Sequence, residues 1–437
     1  MTDAEVTDPA EELVERVAAI DIAKASGMVC MRLPHASRAG RRTQEVWNVP
    51  ATTNGILELG DRLVCQSVTR VVMEATGAYW KPFFFLLEAR GLECWLVNAR
   101  EVKNVPGRPK TDKLDAVWLA KLTERGMLRP SFVPPKPVRQ LRDLTRMRTV
   151  LIREQARHKQ RVEKILEDAQ IKLSSVATDI FGVSGRAMIE ALIAGQHDPR
   201  ALAELARGNM VVKKAALAEA LTGQFEDHHG FLCRTLLDTI DYLAGQIESL
   251  TARTAAALRE LPCPDADGNP RPGSGPDLVA KLVSISGVGT RTAQVLLAEL
   301  GPDMRVFPTP DHLVSWAKFA PRTIQSGGKN TSGPTGKGNP WLKNAVGEAA
   351  LSASRSRTFL GARYKRIVKR RGRKRALVAV GHSLLVIVWH LLNDPETPYT
   401  DLGADYHQHL IDPDRRTRDL VRQLKALGHD VTLAPAA

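Results

Sequence analysis

Two short apolar runs that each end in a carboxylate constrain this chain more than any other feature. Val17-Ala18-Ala19-Ile20 runs into Asp21, and Val71-Val72-Met73 runs into Glu74. Unbroken apolar runs of this length suit strands covered on both faces, where the usual in-out alternation is lost. A carboxylate at such a position needs a partner, because an unpaired charge in a low dielectric is strongly destabilising or is neutralised by a pKa shift. A divalent cation is one such partner.

The surrounding sequence continues the pattern. Strands are expected at Val17–Ile22, 28–33, Arg70–Glu74 and Glu93–Val97, with a helix after Tyr79, which together read as α/β. A further helix over 112–123 can start from Thr111, a favoured N-cap, and it places Leu114, Trp118 and Leu122 one turn apart. Asp112 and Asp115 then share a helix face, where two like charges repel unless a cation sits between them. Four carboxylates, Asp21, Glu74, Asp112 and Asp115, suit two hard cations such as Mg²⁺, which stabilise both the attacking and the leaving oxygen of a phosphodiester displacement. Each residue also has a plain structural role: Asp112 at the positive end of its helix, Asp115 in solvent, Asp21 and Glu74 at strand ends. Their order on one chain favours the metal site.

Charge points to the same substrate class. The chain has 437 residues, with 62 Lys and Arg against 48 Asp and Glu, a net charge of +14. That balance favours a polyanionic partner, with nucleic acid ahead of a membrane surface. The length calls for about two or three domains rather than one core. Cys30, Cys65, Cys94, Cys233 and Cys263 are scattered, without zinc spacing or a disulfide framework, which fits a reducing cytoplasm. The acidic N-terminus does not read as a signal peptide. The apolar stretch 376–392 is interrupted by Gly381, His382, Ser383 and His390 and is expected to be a buried helix, with no membrane partner.

Pro130, Pro134, Pro135 and Pro137 interrupt the chain before a long, basic helical stretch that begins with Leu141, Leu144 and Met147. Leu236, Ile240, Leu243, Ile247 and Leu250 are spaced as a coiled-coil seam, which either a second subunit or an intramolecular hairpin satisfies. The expected division is 1–135 catalytic α/β domain, 136–262 helical and coiled-coil region, 263–277 Pro/Gly-rich linker, 278–400 mainly helical C-terminal domain, and 401–437 a tail without an assigned role.

From Pro321 the chain passes through Arg322, Ser326, Gly327, Gly328, Lys329, Gly333, Gly336, Lys337 and Gly338. Glycines let backbone amides and lysines approach phosphates. The segment is not a P-loop, because Thr331 stands where the first Gly belongs and Gly338 replaces the required Ser or Thr, so ATP use is not expected. Ser326 could attack a DNA phosphate and hold the strand as a phosphoserine ester, or simply precede a turn. Ile285-Ser286-Gly287-Val288-Gly289 resembles a helix-hairpin-helix turn. Lys369, Arg370, Arg371, Arg373 and Lys374 lie in the densest basic run and, with Arg322, Lys329 and Lys337, are the candidate nucleic-acid contacts.

Taken together, Ala19-Ile20-Asp21-Ile22-Ala23-Lys24, Met73-Glu74-Ala75-Thr76-Gly77, Lys110-Thr111-Asp112-Lys113-Leu114-Asp115-Ala116 and Pro321-Arg322 through Ser326-Gly327 resemble the insertion-sequence 110 family of transposases. The resemblance implies a RuvC-like, ribonuclease-H-type N-terminal domain, a coiled-coil middle and a C-terminal transposase domain. It implies that the DEDD set falls on Asp21, Glu74, Asp112 and Asp115 with two Mg²⁺ per site, and that Ser326, in preference to Ser332, is a catalytic serine. It further implies an RNA-guided recombinase, with donor and target DNA paired to a structured noncoding bridge RNA, dimers assembling to a tetramer, and a bacterial protein at the nucleoid when active. The expectation is thus a transposase that cuts and rejoins DNA through a serine nucleophile assisted by the carboxylates. Two alternatives remain: a junction-resolving, metal-dependent nuclease in which Ser326 is a loop residue, and a non-catalytic nucleic-acid-binding protein.

Overall fold

The computed structural model describes residues 14–38, 40–75, 77–98, 111–264, 270–271, 274–394, 396–409 and 412–434. The chain divides into two compact units, Met1–Val133 and Pro134–Ala437.

The first unit is a five-stranded sheet with helices on both faces. Its elements are β1 (Val17–Ile22), β2 (Ser26–Pro34), β3 (Arg42–Pro50), α1 (Thr53–Cys65), β4 (Arg70–Glu74), α2 (Trp80–Ala89), β5 (Glu93–Val97) and α3 (Asp112–Glu124). The strand order is β3-β2-β1-β4-β5; β1 to β3 pair antiparallel, whereas β4 and β5 run parallel to β1. Alternate residues of β1 and β4 enter different cores. Ala18, Ile20, Val71 and Met73 pack with Ile56 and Leu63 of α1 and Phe83 and Leu87 of α2. Ala19 and Val72 pack with Ala116, Leu119 and Ala120 of α3. Burial on both sides is why the two runs are apolar without alternation.

The expected strands at Val17–Ile22, Arg70–Glu74 and Glu93–Val97 are present as read, and 28–33 falls within β2. β3 and α1 add to that expectation. β3 carries the exposed Thr43, Gln44 and Glu45 and only then reaches Val46, Trp47 and Val49, so as an edge strand it has no unbroken apolar run.

The principal elements of the second unit are α4 (Lys136–Asp168), α5 (Val183–Ile193), α6 (Asp227–Glu260), α7 (Gly275–Val283), α8 (Thr290–Leu300), α9 (Pro310–Trp316), the hairpin β6 (Thr323–Ser326) and β7 (Lys329–Ser332), α10 (Pro340–Ala353), α11 (Phe359–Arg371) and α12 (Arg373–Asn393). Pro137 lies in the first turn of α4 instead of ahead of it, where its missing N–H breaks no helical bond. Ile240, Leu243 and Ile247 are buried on α6, which runs along α4, so the seam is used within the chain. The architecture is the expected one: a mixed sheet between helices, followed by a largely helical remainder. α12 is long and apolar enough to cross a membrane, yet Val380, Leu384, Leu385 and Val388 are buried, and it packs against α9, α10 and α11 as a core helix.

Candidate functional site

The parallel pairing of β1 with β4 sets Ile20 opposite Met73, so Asp21 and Glu74, the next residues, lie side by side near the carboxyl ends of neighbouring strands. Strand alternation puts both on the face of Ala19 and Val72, the face that α3 covers. In α3 the Thr111 hydroxyl caps the helix by accepting the Leu114 N–H at 3.3 Å, and the Asp115 N–H donates to the Thr111 carbonyl at 2.7 Å. That cap fixes Asp115 at the start of α3. Asp21, Glu74 and Asp115 are each half-buried. The side chain of Asp112, first residue of α3, lies outside the described residues. The carboxyl ends of parallel strands are where open α/β sheets bind ligands, and an all-oxygen donor set fits a hard divalent cation.

A second group capable of holding a cation joins the end of α4 to the start of α6. One ligand atom each from Asp168, His228 and His229 lie within 4.8 Å of one another. His229 is buried; its Nδ1 accepts the Glu226 N–H at 3.0 Å, completing a capping box for α6. Its Nε2 therefore carries the proton and faces an Asp168 carboxylate oxygen at 3.3 Å. His228 Nδ1 lies 3.4 Å from a Glu226 carboxylate oxygen. A cation taken through His229 Nε2 would move the ring proton to Nδ1 and cost the cap, about 1 kcal/mol. Sequence reasoning missed this group: the adjacent histidines are visible, but nothing local ties them to Asp168.

Ser326 ends β6, opposite Lys329, and Gly327 and Gly328 form the tip with φ of +54° and +76°. Two consecutive positive φ angles make a type I′ hairpin turn, which the Gly-Gly pair permits. The glycine-rich segment is thus a hairpin where an open phosphate-cradling loop was expected. The side chains of Ser326, Lys329 and Ser332 lie outside the described residues. Arg322 and Lys337 are exposed on either side of the hairpin. Lys369, Arg370 and Arg371 end α11, Arg373 and Lys374 open α12, all are exposed, and Gly372 between them has φ +76°. The Gly287 turn joins α7 to α8, the helix-turn-helix arrangement expected there. A Cβ there would stand 2.6 Å from the Ala349 carbonyl oxygen and the Ala353 nitrogen, so this glycine serves packing against α10. Gly289, the α8 N-cap, is the open end of that turn.

Burial pushes the Cys30, Cys233 and Cys263 thiols up to about 11 and Cys94 to about 12, which removes them as thiolate nucleophiles.

Residues 18–171 match the model of DEDD-type IS110 transposases, and residues 279–365 match that of the IS116/IS110/IS902 transposase family. The insertion element IS110 uncharacterized 43.6 kDa protein of Streptomyces coelicolor (strain ATCC BAA-471 / A3(2) / M145) is 35% identical over 117 residues, covering 26% of this chain. The match spans 28% of that relative's length. These findings correct the expectation of a recombinase working through a Ser326 nucleophile. The matched N-terminal model is of the DEDD carboxylate type, and the Asp168, His228 and His229 group adds cation-binding capacity. Ser326 occupies a strand end before a Gly-Gly turn, the position of a hairpin-closing serine. Metal-dependent cleavage, first of the two alternatives, is the better-supported chemistry.

Proposed function

Starting from this chain's homology to transposases of the IS110/IS116/IS902 family, we propose that it cuts DNA by metal-dependent hydrolysis at Asp21, Glu74, Asp112 and Asp115. The observation that carries the reading is that Asp21 and Glu74 follow a paired position on adjacent parallel strands, on the face covered by the helix that bears Asp115. Oxygen donors suit Mg²⁺, two ions per site, which when bound would lower the charge on the scissile phosphate and the pKa of the attacking water. The chain's own part is positional. The sheet register sets Asp21 beside Glu74, and the Thr111 cap holds Asp115 at the start of its helix.

The proposal extends to partners. Donor and target DNA are gripped through their backbones by Arg322, Lys329, Lys337 and the run Lys369, Arg370, Arg371, Arg373 and Lys374, while a structured noncoding RNA of the element supplies sequence recognition. A net charge of +14 with 5% aromatic residues supports a protein that leaves most base reading to pairing. Dimers assembling to a tetramer complete the proposal, and mass photometry with and without that RNA reads the assembly directly.

The deciding experiment incubates purified protein, Mg²⁺ and the element's noncoding RNA with end-labelled donor DNA. Free cleaved ends are expected from wild type and from Ser326→Ala. Chelation abolishes them, and Asp115→Asn lowers the rate by about a hundredfold or more. A protease-sensitive protein–DNA adduct that disappears in Ser326→Ala would sink the reading.

A further inference from the structure

In the Pro134–Ala437 unit, a cavity of about 720 Å³ opens between the base of the β6–β7 hairpin and helices α11 and α12. Phe319, Ile367 and Val378 give it apolar walls, and Arg363, Arg371 and Lys374 give it cations. Among the described residues no carboxylate lines it. The positive φ at Gly372 turns the chain between the two helices, so that Arg371 from one and Lys374 from the other reach the same opening. Arg363 Nε is buried and has no hydrogen-bond partner among the described residues. Burial, and then the neighbouring Arg366, pulls the Arg363 guanidinium below its ordinary value. His382, also on the wall, is held below its ordinary value by burial and Arg363 against an opposing pull from Asp311.

Apolar walls want a flat, apolar-faced group, and a cationic mouth without carboxylates wants an anion attached to it. A volume within the roughly 300–1,000 Å³ of small-molecule sites accommodates both parts in one ligand. We propose that this cavity receives one unstacked nucleotide of a single-stranded nucleic acid, its base against Phe319, Ile367 and Val378 and its phosphate at Arg371 and Lys374. Arg363 supplies a donor to the base edge. The proposal rests on the reading of the chain as an enzyme acting on nucleic acid and adds to it a discrete site remote from the carboxylates in sequence.

The test uses the full chain and a fluorescent oligothymidylate of about 15 nucleotides, the same length of oligouridylate, and an abasic strand with the same phosphates. The base-bearing strand is expected to bind about tenfold or more tighter than the abasic one at equal salt. Val378→Trp, which fills the cavity, removes that preference but leaves the salt-dependent binding of the abasic strand. Arg371→Ala with Lys374→Ala weakens both strands. Photo-crosslinking of iodouracil-substituted strands is expected to mark the peptides that carry Phe319 or His382. Tighter binding of the thymidylate assigns the nucleotide to DNA, and of the uridylate to RNA. Equal binding of base-bearing and abasic strands, or crosslinks confined to other peptides, overturns the proposal. Asp115→Asn, which removes the proposed cleavage, leaves this binding in place, so failure of one reading is seen separately from failure of the other.

Discussion

Glu299 shows what a single buried charge does in this chain. Its side chain is fully buried on α8, and both carboxylate oxygens accept from Arg146, at 2.7 Å each. Asn339, the N-cap of α10, donates to it at 2.7 Å, and Arg142 Nε lies 3.5 Å away while also donating to the Ala298 carbonyl at 2.9 Å. Burial draws the Arg142 guanidinium down to about 10 against the opposing pull of Glu299, so removing the carboxylate would strand a desolvated cation. Glu299→Ala is therefore expected to lower stability by about 3–5 kcal/mol, measured by urea unfolding. A loss below about 1 kcal/mol would show that the network is neutral. Nothing in the sequence marks Glu299, which looks like any solvated helical glutamate. Asp21 and Glu74 were legible because each interrupts an apolar run, and a break in a pattern is a local signal.

At the scale of elements, the strands and the capped start of α3 were readable because both depend on neighbours within a few residues. β3 was not, since an edge strand exposes polar side chains and gains its identity from pairing with β2. The seam on α6 was visible, but not the element it faces; packing along α4 settles that within the chain. The turn between α7 and α8 yields a prediction of its own. Gly287 has φ +91° and two backbone atoms of α10 within 2.6 Å of where a Cβ would stand. Gly287→Ala combines strain with a clash that backbone cannot relieve cheaply, and is expected to cost about 2 kcal/mol or more. Gly289→Ser, at an N-cap in open space, serves as the control and stays within about 0.5 kcal/mol of wild type or slightly above it. Equal melting temperatures for the two variants would contradict the packing role of Gly287.

For the whole molecule, a net charge of +14 and the exposed cations flanking Gly372 make binding to DNA an electrolyte effect. Affinity is expected to fall steeply with salt, and Arg373→Ala to reduce the slope of log K against log salt by about one, with unchanged circular dichroism. An unchanged slope would remove Arg373 from the contact surface. Sequence alone determined the chemistry available to this protein: a basic chain, strands that end in carboxylates, a capped helix carrying Asp112 and Asp115, and the motifs shared with a transposase family. These are local or compositional properties, set by residue type and short spacing. It also put forward a serine nucleophile, because a serine before two glycines looks the same whether it attacks a phosphate or closes a hairpin. Only the tertiary structure decided which carboxylates share a face, that Asp168 meets His228 and His229, that Glu299 is buried among cations, and that α11, α12 and the hairpin enclose a cavity. Each of these joins residues far apart in the chain, and burial and charge pairing between such residues exist only once the packing is formed.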